Sequence, residues 1–298
     1  LNTIDLSQLP APAVLEMPLF QALKAQRLAE LQALDSTFNA LLESEPAVKL
    51  LEIVAYREMV NIARFNSGIL AVLLAYAKGT DLDQLGANYD VARQVVTPAD
   101  DTTIPPTPAV METDDEYRQR IRLSWYARNT AGAREAYEYY ARTADSGVLD
   151  AKAYGPPDTN PGYVDVYVLA RESDGTPSDA LLAIVSSALN AEDVRPLTDF
   201  VTVKSPEIIR YTVDATLVIS PGPDTETVVK AAKAALENYT VSAHAIETDV
   251  SIAGIYAALK QAGVDDVILR TPAATVSVGV GQAAWCEDMT VTTQEPNR

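Results

Sequence analysis

Residues 163–170, YVDVYVLA, place a valine at every second position, which suits a half-buried β-strand and no helix. An amphipathic stretch follows at 177–192, PSDALLAIVSSALNAE, with Ser178 placed to cap it, and a second strand pattern, FVTVKSP, occupies 200–206. The succession then recurs. A strand pattern covers 210–220, helical patterns cover 224–239 and 251–263, and another strand pattern covers 264–271. ATVSVGVG and DMTVTT add two short β segments. A small sheet has an apolar face to hide, and each of these arrives with its own helices. The pattern predicts an α+β multidomain chain whose second part is two small α+β domains, with helices packed on mixed or antiparallel sheets.

The first hundred residues carry a different period. Leu19, Leu23, Leu28, Leu31 and Leu34 recur at helical spacing, and 45–77 forms a second long helical stretch with Pro46 in its first turn. Gly79 is expected to close that helix in a left-handed conformation. A short helix then restarts in TDLDQLGANYDVARQ (80–94), with Leu82 and Leu85 inward and Gly86 breaking it. TPADDTTIPPTP (97–108) reads as a linker, and 113–145 as two helices divided near NTAGA. The expected organisation is a helical N-terminal arm and bundle region at 1–96 and a proline-rich linker at 97–112. A helical pair plus a first α+β domain follows at 113–206, and a second α+β domain at 207–298.

Composition narrows the function. A chain of 298 residues, 48% hydrophobic and 21% charged, has the profile of a folded protein with more than one core. Its 41 acids against 23 cations leave a net charge of −18, which repels phosphate backbones and anionic membranes, so no nucleic-acid partner is expected. The best membrane candidate, 53–79, is interrupted by Arg57, Glu58 and Arg64, and its charge-free run Ile69–Ala77 is far shorter than the roughly 20 residues a bilayer needs. The N-terminal stretch has neither a basic n-region nor an apolar h-region, so no signal peptide is expected. One cysteine and one histidine can form neither an internal disulfide nor a Cys/His zinc site, and a reducing compartment follows weakly.

Candidate chemistry is sparse. ETDDEYRQRIR (112–122) packs four acids against three arginines, yet Thr113 and Glu116 have capping-box spacing. Asp114 and Asp115 then suit the positive end of a helix dipole, and Asp114–Arg118 and Glu116–Arg120 are i,i+4 pairs. Tyr117, Ile121, Ser124 and Trp125 would form the inward stripe. Asp150, Asp158 and Asp165 surround a turn-rich break, where a hydrolytic pair would need facing carboxylates about 5–10 Å apart, but aspartates in such turns usually serve the turn. His244 lacks a nucleophile partner and reads as a polar loop or edge-strand residue. The acids after Cys286 would raise its thiol pKa. VGVGQ (278–282) lacks the third glycine of a dinucleotide fingerprint. No catalytic, cofactor-binding or metal-ligating residue is assigned. A non-catalytic assembly subunit is the favoured reading, with an acidic, cell-envelope-degrading hydrolase as its rival.

Three stretches, in order, carry a family resemblance. AKGTDLDQLGANYDVARQ (Ala77–Gln94) is close to an A-x-G-x-x-L-D-x-L-G…R signature. ETDDEYRQRIRLS (Glu112–Ser124) has an acidic, aromatic and arginine-bearing helix start after a Pro/Thr linker. RPLTDFVTVKSPEIIRYTVDATLVI (Arg195–Ile219) matches R-P-x-x-D-x-V-x-V. The set resembles the baseplate J-like proteins of contractile phage tails and pyocin-type particles, although Asp90-Val91-Ala92 stands where the family usually has a glycine before its arginine. The resemblance implies a wedge protein in a ring around the hub and spike. Its partners would be a second wedge subunit, further copies of itself (two per wedge), and hub and sheath-side proteins. It further implies assembly in the bacterial cytoplasm, rearrangement that triggers sheath contraction, and no catalytic residue. On this reading residues 19–77 become buried only with partners, and a hinge at 97–108 lets identical chains adopt different poses.

Overall fold

The computed structural model describes residues 6, 9–15, 18–38, 42–128, 132–155, 162–192, 194–220 and 225–295. Among them are eight helices and three small sheets, an α+β architecture without a barrel. The chain divides into two compact units. Unit 1 comprises Leu1–Arg93 with Thr113–Arg118, and unit 2 comprises Gln94–Glu112 with Gln119–Arg298.

Unit 1 is helical. α1 (Phe20–Leu34) lies along α2 (Pro46–Ala71), and Pro46 occupies the first turn of α2, as its spacing predicts. Charged side chains join the two helices. Lys24 bonds Glu52 at 2.8 Å, and Arg27 forks onto both carboxylate oxygens of Glu58 at 2.9 and 3.0 Å. α2 ends at Ala71, short of the expected Ala77, because the following carbonyls find other donors. Arg118 donates Nε to Leu74 O at 2.7 Å and Nη2 to Ala77 O at 2.8 Å. Gly79 is left-handed as expected (φ 51°), but it opens α3 (Gly79–Ala87) instead of closing α2. Gly86 does not break α3; it is buried within it.

In unit 2 the proline-rich stretch is a β-hairpin. β1 (Val95–Thr97) pairs antiparallel with β2 (Val110–Met111), and Asp100 and Thr107 exchange backbone hydrogen bonds of 2.9 Å. α4 (Asp114–Ala127) belongs to unit 1 up to Arg118 and to unit 2 beyond it. Of its expected inward stripe, Tyr117, Ile121 and Ser124 are buried but Trp125 is 61% exposed. At 100° per residue Trp125 lies about 80° from Tyr117, on the edge of the buried arc, whereas Arg120 falls inside it. The expected division near NTAGA falls partly at 129–131, outside the described residues, as does 156–161 with Asp158.

Two mixed sheets follow. α5 (Arg134–Ala144) precedes β3 (Val148–Tyr154), β4 (Tyr163–Ala170), α6 (Asp179–Leu189) and β5 (Phe200–Lys204). β4 is central, antiparallel to β3 and parallel to β5. Tyr137 and Ala141 of α5 and Val185 and Leu189 of α6 close over Val164, Val166 and Val168 in one core. Ser178 caps α6 as its position predicts, accepting from Leu181 N at 3.2 Å. After a two-residue connection come β6 (Glu207–Val218), α7 (Thr225–Ala243), α8 (Ile252–Leu259), β7 (Asp266–Thr271) and β8 (Gln282–Gln294). β6 is again central, antiparallel to β7 and parallel to β8, and Leu236, Ile255 and Leu259 fill the core beneath it.

The two sheets of unit 2 are joined through a tight seam. Leu169, Ile246 and Ala283 form a small buried cluster there. The Asp150 carboxylate, 4% exposed, accepts from Ile246 N at 2.9 Å while also holding Ala151 N at 2.7 Å and pairing with Arg142. Tyr154 Oη donates to Glu247 at 3.2 Å, and Gly281 brings its backbone close to the Tyr167 ring.

Candidate functional site

The acids of ETDDEYRQRIR are all engaged in structure. Thr113 N donates to Glu116 Oε2 at 2.9 Å and Glu116 N donates to Thr113 Oγ1 at 3.3 Å, which completes the expected capping box. Arg118 pairs with Asp115, one position closer than the expected Asp114. Asp114 instead receives Gly79 N at 3.1 Å and Arg93 at 2.8 Å. Burial opposes its ionisation, but these two donors prevail and hold the carboxyl below its ordinary pKa. In unit 2, Glu112 is 3% exposed; it accepts from Gln94 N at 2.9 Å and from Arg120 Nε at 3.0 Å.

Within unit 1 these residues close on the first of the three sequence stretches. Tyr117, 1% exposed, donates its hydroxyl to Val91 O at 2.7 Å, and Arg93 lies over its ring at 4.6 Å. Arg93 also bonds Asp83 at 2.7 Å. Gly86 supplies the space for Tyr117: a Cβ there would meet the tyrosine Oη at 1.8 Å. Asp90, the first residue of the Asp90-Val91-Ala92 stretch that stands where the resemblance implies a glycine, adopts φ 59°, the left-handed conformation that glycine accepts most readily. The motif residues Ala77, Gly79, Leu82, Asp83, Gly86 and Arg93 thus form one structural knot with Asp114, Tyr117 and Arg118.

Asp150 and Asp165, the two of the three aspartates among the described residues, do not form a hydrolytic pair. Asp150 is opposite Leu169 on β4 and Asp165 is opposite Tyr154 on β3, so four residues, about 13 Å at 3.3 Å per residue, separate them. That exceeds the span such chemistry uses. Asp150 is spent on the seam, and Asp165 pairs with Lys204 at 2.7 Å. A carboxyl that sequence reasoning missed is Glu138 on α5, 7% exposed, which burial pushes above its ordinary pKa. Its one signal was its place in REAYEYYARTA, on the side of the helix that carries Tyr137 and Ala141.

His244 lies in a loop, as expected, but it is buried there and not exposed. It follows the last turn of α7, 9% exposed, with Nδ1 2.6 Å from Ala284 O and its ring edge-on to Trp285 at 4.9 Å. Gly175 leaves room for its Nε2. Burial is the main cause that raises the Cys286 thiol pKa, and nearby Asp288 adds to it, so the expected direction holds for a partly different reason. VGVGQ leads directly into β8. Among the described residues no group of His, Cys, Asp and Glu side chains has the arrangement to hold a metal ion, and no helix is long and apolar enough to cross a membrane.

What unit 1 offers instead is apolar surface. Leu50, Ile53, Val54 and Phe65 of α2 are 64, 58, 49 and 65% exposed. At 100° per residue they fall within an arc of about 120°, but exposed Arg57, Asn61 and Arg64 lie in the same arc, so Leu50, Ile53 and Val54 form one apolar patch and Phe65 stands apart from it. α1 is held to α2 by ion pairs, each worth only about 0–1 kcal/mol when exposed. Buried apolar area per helix is small: Leu23 is buried in α1, and Val48 and Ala55 in α2.

Family models place the chain. The baseplate J-like N-terminal domain matches residues 43–100, the baseplate J-like central domain 129–205, and the baseplate J-like protein C-terminal domain 211–292. The chain is 46% identical over 297 residues to baseplate protein J of Escherichia phage P2, covering 97% of each. A weaker likeness links it to a chain in the cryo-EM structure of the anti-feeding prophage baseplate. There the TM-score is 0.38 at 18% identity, and the match covers 60% of this chain and 42% of that one.

Proposed function

The chain belongs to the baseplate J-like family, and on that premise we propose that it is a baseplate structural subunit acting as a wedge protein in the ring around the hub of a contractile tail or tailocin. In this reading it assembles in the bacterial cytoplasm with a second wedge protein and further copies of itself. The ring's rearrangement triggers sheath contraction, and the chain's own contribution is mechanical, not catalytic. Residues 1–96 are its binding arm, and 113–206 and 207–298 are its two α+β domains.

The observation that supports the reading is the set of exposed apolar side chains on α2, Leu50, Ile53, Val54 and Phe65. A 26-residue helix with four large apolar side chains 49–65% exposed gains by burying them, at about 1.5–3 kcal/mol per fully buried side chain. The hydrolase alternative finds no support in the placement of Asp150 and Asp165.

The test is native mass measurement after co-expression with the neighbouring tail proteins, paired with hydrogen exchange of the arm. Complexes that contain several chains, with amides of 19–77 protected only inside them, are expected. An isolated monomer whose 19–77 amides are already fully protected would overturn the reading. Replacing both Ile53 and Phe65 with Asp should abolish complex formation and leave the isolated fold within about 0.5 kcal/mol of the parent, since both side chains are exposed.

A further inference from the structure

We propose that Arg142 is a guanidinium shared between two buried carboxyls, Asp150 and Glu138, and that ionisation of Glu138 draws it off Asp150 and loosens the bond from Asp150 to Ile246. The device lies within unit 2 and needs no partner, so it stands apart from the assembly reading.

The setting is the edge of the first sheet. β3 pairs with β4 on one side only, and two of its N–H groups go to carboxyls instead of to another strand. Ala151 N donates to Asp150 Oδ1 at 2.7 Å, and Ala153 N donates to Glu138 Oε1 at 3.4 Å. Asp150 is well satisfied, because Arg142 pairs with the same Oδ1 and Ile246 N donates to Oδ2 at 2.9 Å. Glu138 is not. It is 7% exposed, and the long bond from Ala153 is its one hydrogen bond among the described residues.

Arg142 has capacity to spare. It lies four residues beyond Glu138 on α5, about 40° around the helix at 100° per residue, with the acid N-terminal, the better order for such a pair. Its side chain is 12% exposed, and its Nη1 donates to Gln119 Oε1 at 2.9 Å. Nε–H is buried and has no acceptor among the described residues. A buried donor without an acceptor is costly. The carboxyl one turn back on its own helix is Glu138.

The two protonation states of Glu138 place Arg142 differently. Burial favours the neutral acid, which competes weakly for a guanidinium, and Arg142 stays on Asp150. The charged groups that act on Glu138 are Lys152 and Asp150 of β3 and Arg142 of its own helix; the two cations favour ionisation and Asp150 opposes it. β4 and α6, also packed on α5, add Val164, Val166, Val185 and Leu189 to the core there. Once ionised, Glu138 offers Nε–H a charge-assisted bond. Two carboxylates then compete for one cation. Released at Oδ1, the Asp150 carboxylate is free to turn, and the bond it gives up is the one to Ile246 N, which joins the two sheets.

The experiment follows the isolated full chain by NMR, with carbon-labelled glutamate carboxyls and nitrogen-labelled arginine, from about pH 4 to about pH 8. The Glu138 signal is the one missing from Glu138→Gln. It should titrate above the ordinary value of 4.5, and the Arg142 Nε–H resonance should shift with the same midpoint. Across that midpoint, protection of the Ile246 amide, corrected for intrinsic exchange, should fall about tenfold more than that of Leu217 in β6. Glu138→Gln should show neither step. An Arg142 Nε–H resonance that does not move with Glu138 overturns the proposal. So does Ile246 protection that follows Leu217, which would mean that the whole unit loosens and not the Asp150–Ile246 bond. The shared midpoint is read in the parent chain, so the test holds even where the variant does not fold.

Discussion

Gly86→Ala should be among the most damaging single-methyl changes in unit 1. An added Cβ would lie 1.8 Å from Tyr117 Oη, 2.5 Å from Tyr117 Cζ and 2.9 Å from Val91 O. The ring cannot simply swing away, because Tyr117 is 1% exposed, bonds Val91 O and lies under the Arg93 guanidinium. Overpacking costs about 1–3 kcal/mol, and losing the buried hydroxyl bond about 1–3 kcal/mol more. The better helix propensity of alanine returns about 1 kcal/mol. The net destabilisation is therefore about 1–5 kcal/mol. Because the chain has two compact units, global melting mixes transitions, and hydrogen exchange of α3 amides isolates the relevant one. Tyr117→Phe removes the nearest clashing atom, so Gly86→Ala should cost less in that background, by about 1 kcal/mol or more of coupling. Exchange free energies for Gly86→Ala within about 0.5 kcal/mol of the parent, or strictly additive effects of the two changes, would refute the packing argument.

Two further outcomes follow from buried charge. Glu112→Ala removes the carboxylate paired with the 4%-exposed Arg120 and should cost about 3–5 kcal/mol in denaturant unfolding, whereas Glu112→Leu with Arg120→Met should fall much nearer the parent; equal losses would count against the ion-pair account. Glu138 has a raised folded pKa, so below its ordinary value of 4.5 both states are protonated and no penalty exists. As pH rises from there through the folded pKa, the unfolded state ionises first and stability is lost. Glu138→Gln should therefore gain on the parent across that window, and a parent–variant difference that stays flat from about pH 3 to about pH 8 rules the burial argument out.

Local signals in the sequence located most helices but not the contacts that join them. The periodicity of 19–34, the Ser178 cap and the Thr113–Glu116 box each depend on neighbours within a few residues and appear where expected, as does the start of the 45–77 stretch, although α2 stops at Ala71. β3 escaped because Asp150 and Lys152 interrupt its apolar pattern, and the partner that makes a buried Asp150 tolerable, Ile246 N, lies 96 residues away. The hairpin read as a linker because threonine hydroxyls and an aspartate, not an apolar face, hold it. Gly86 looked like a breaker since glycine's two uses, turning the chain and making room, are identical in sequence; Tyr117 decides between them. His244 seemed polar in AHAIETD, and nothing local reveals that Gly175 and Ala284 converge on its ring. The apolar positions of α2 could be read from spacing, but their exposure could not.

The seam between the sheets of unit 2 has a mechanical consequence. A loose tether would let a tug on one sheet dissipate before the other felt it. Here the tether is two residues long, and beside it Asp150 and Tyr154 of the first sheet bond Ile246 and Glu247. A displacement of β3 should therefore carry the 246–247 segment with it.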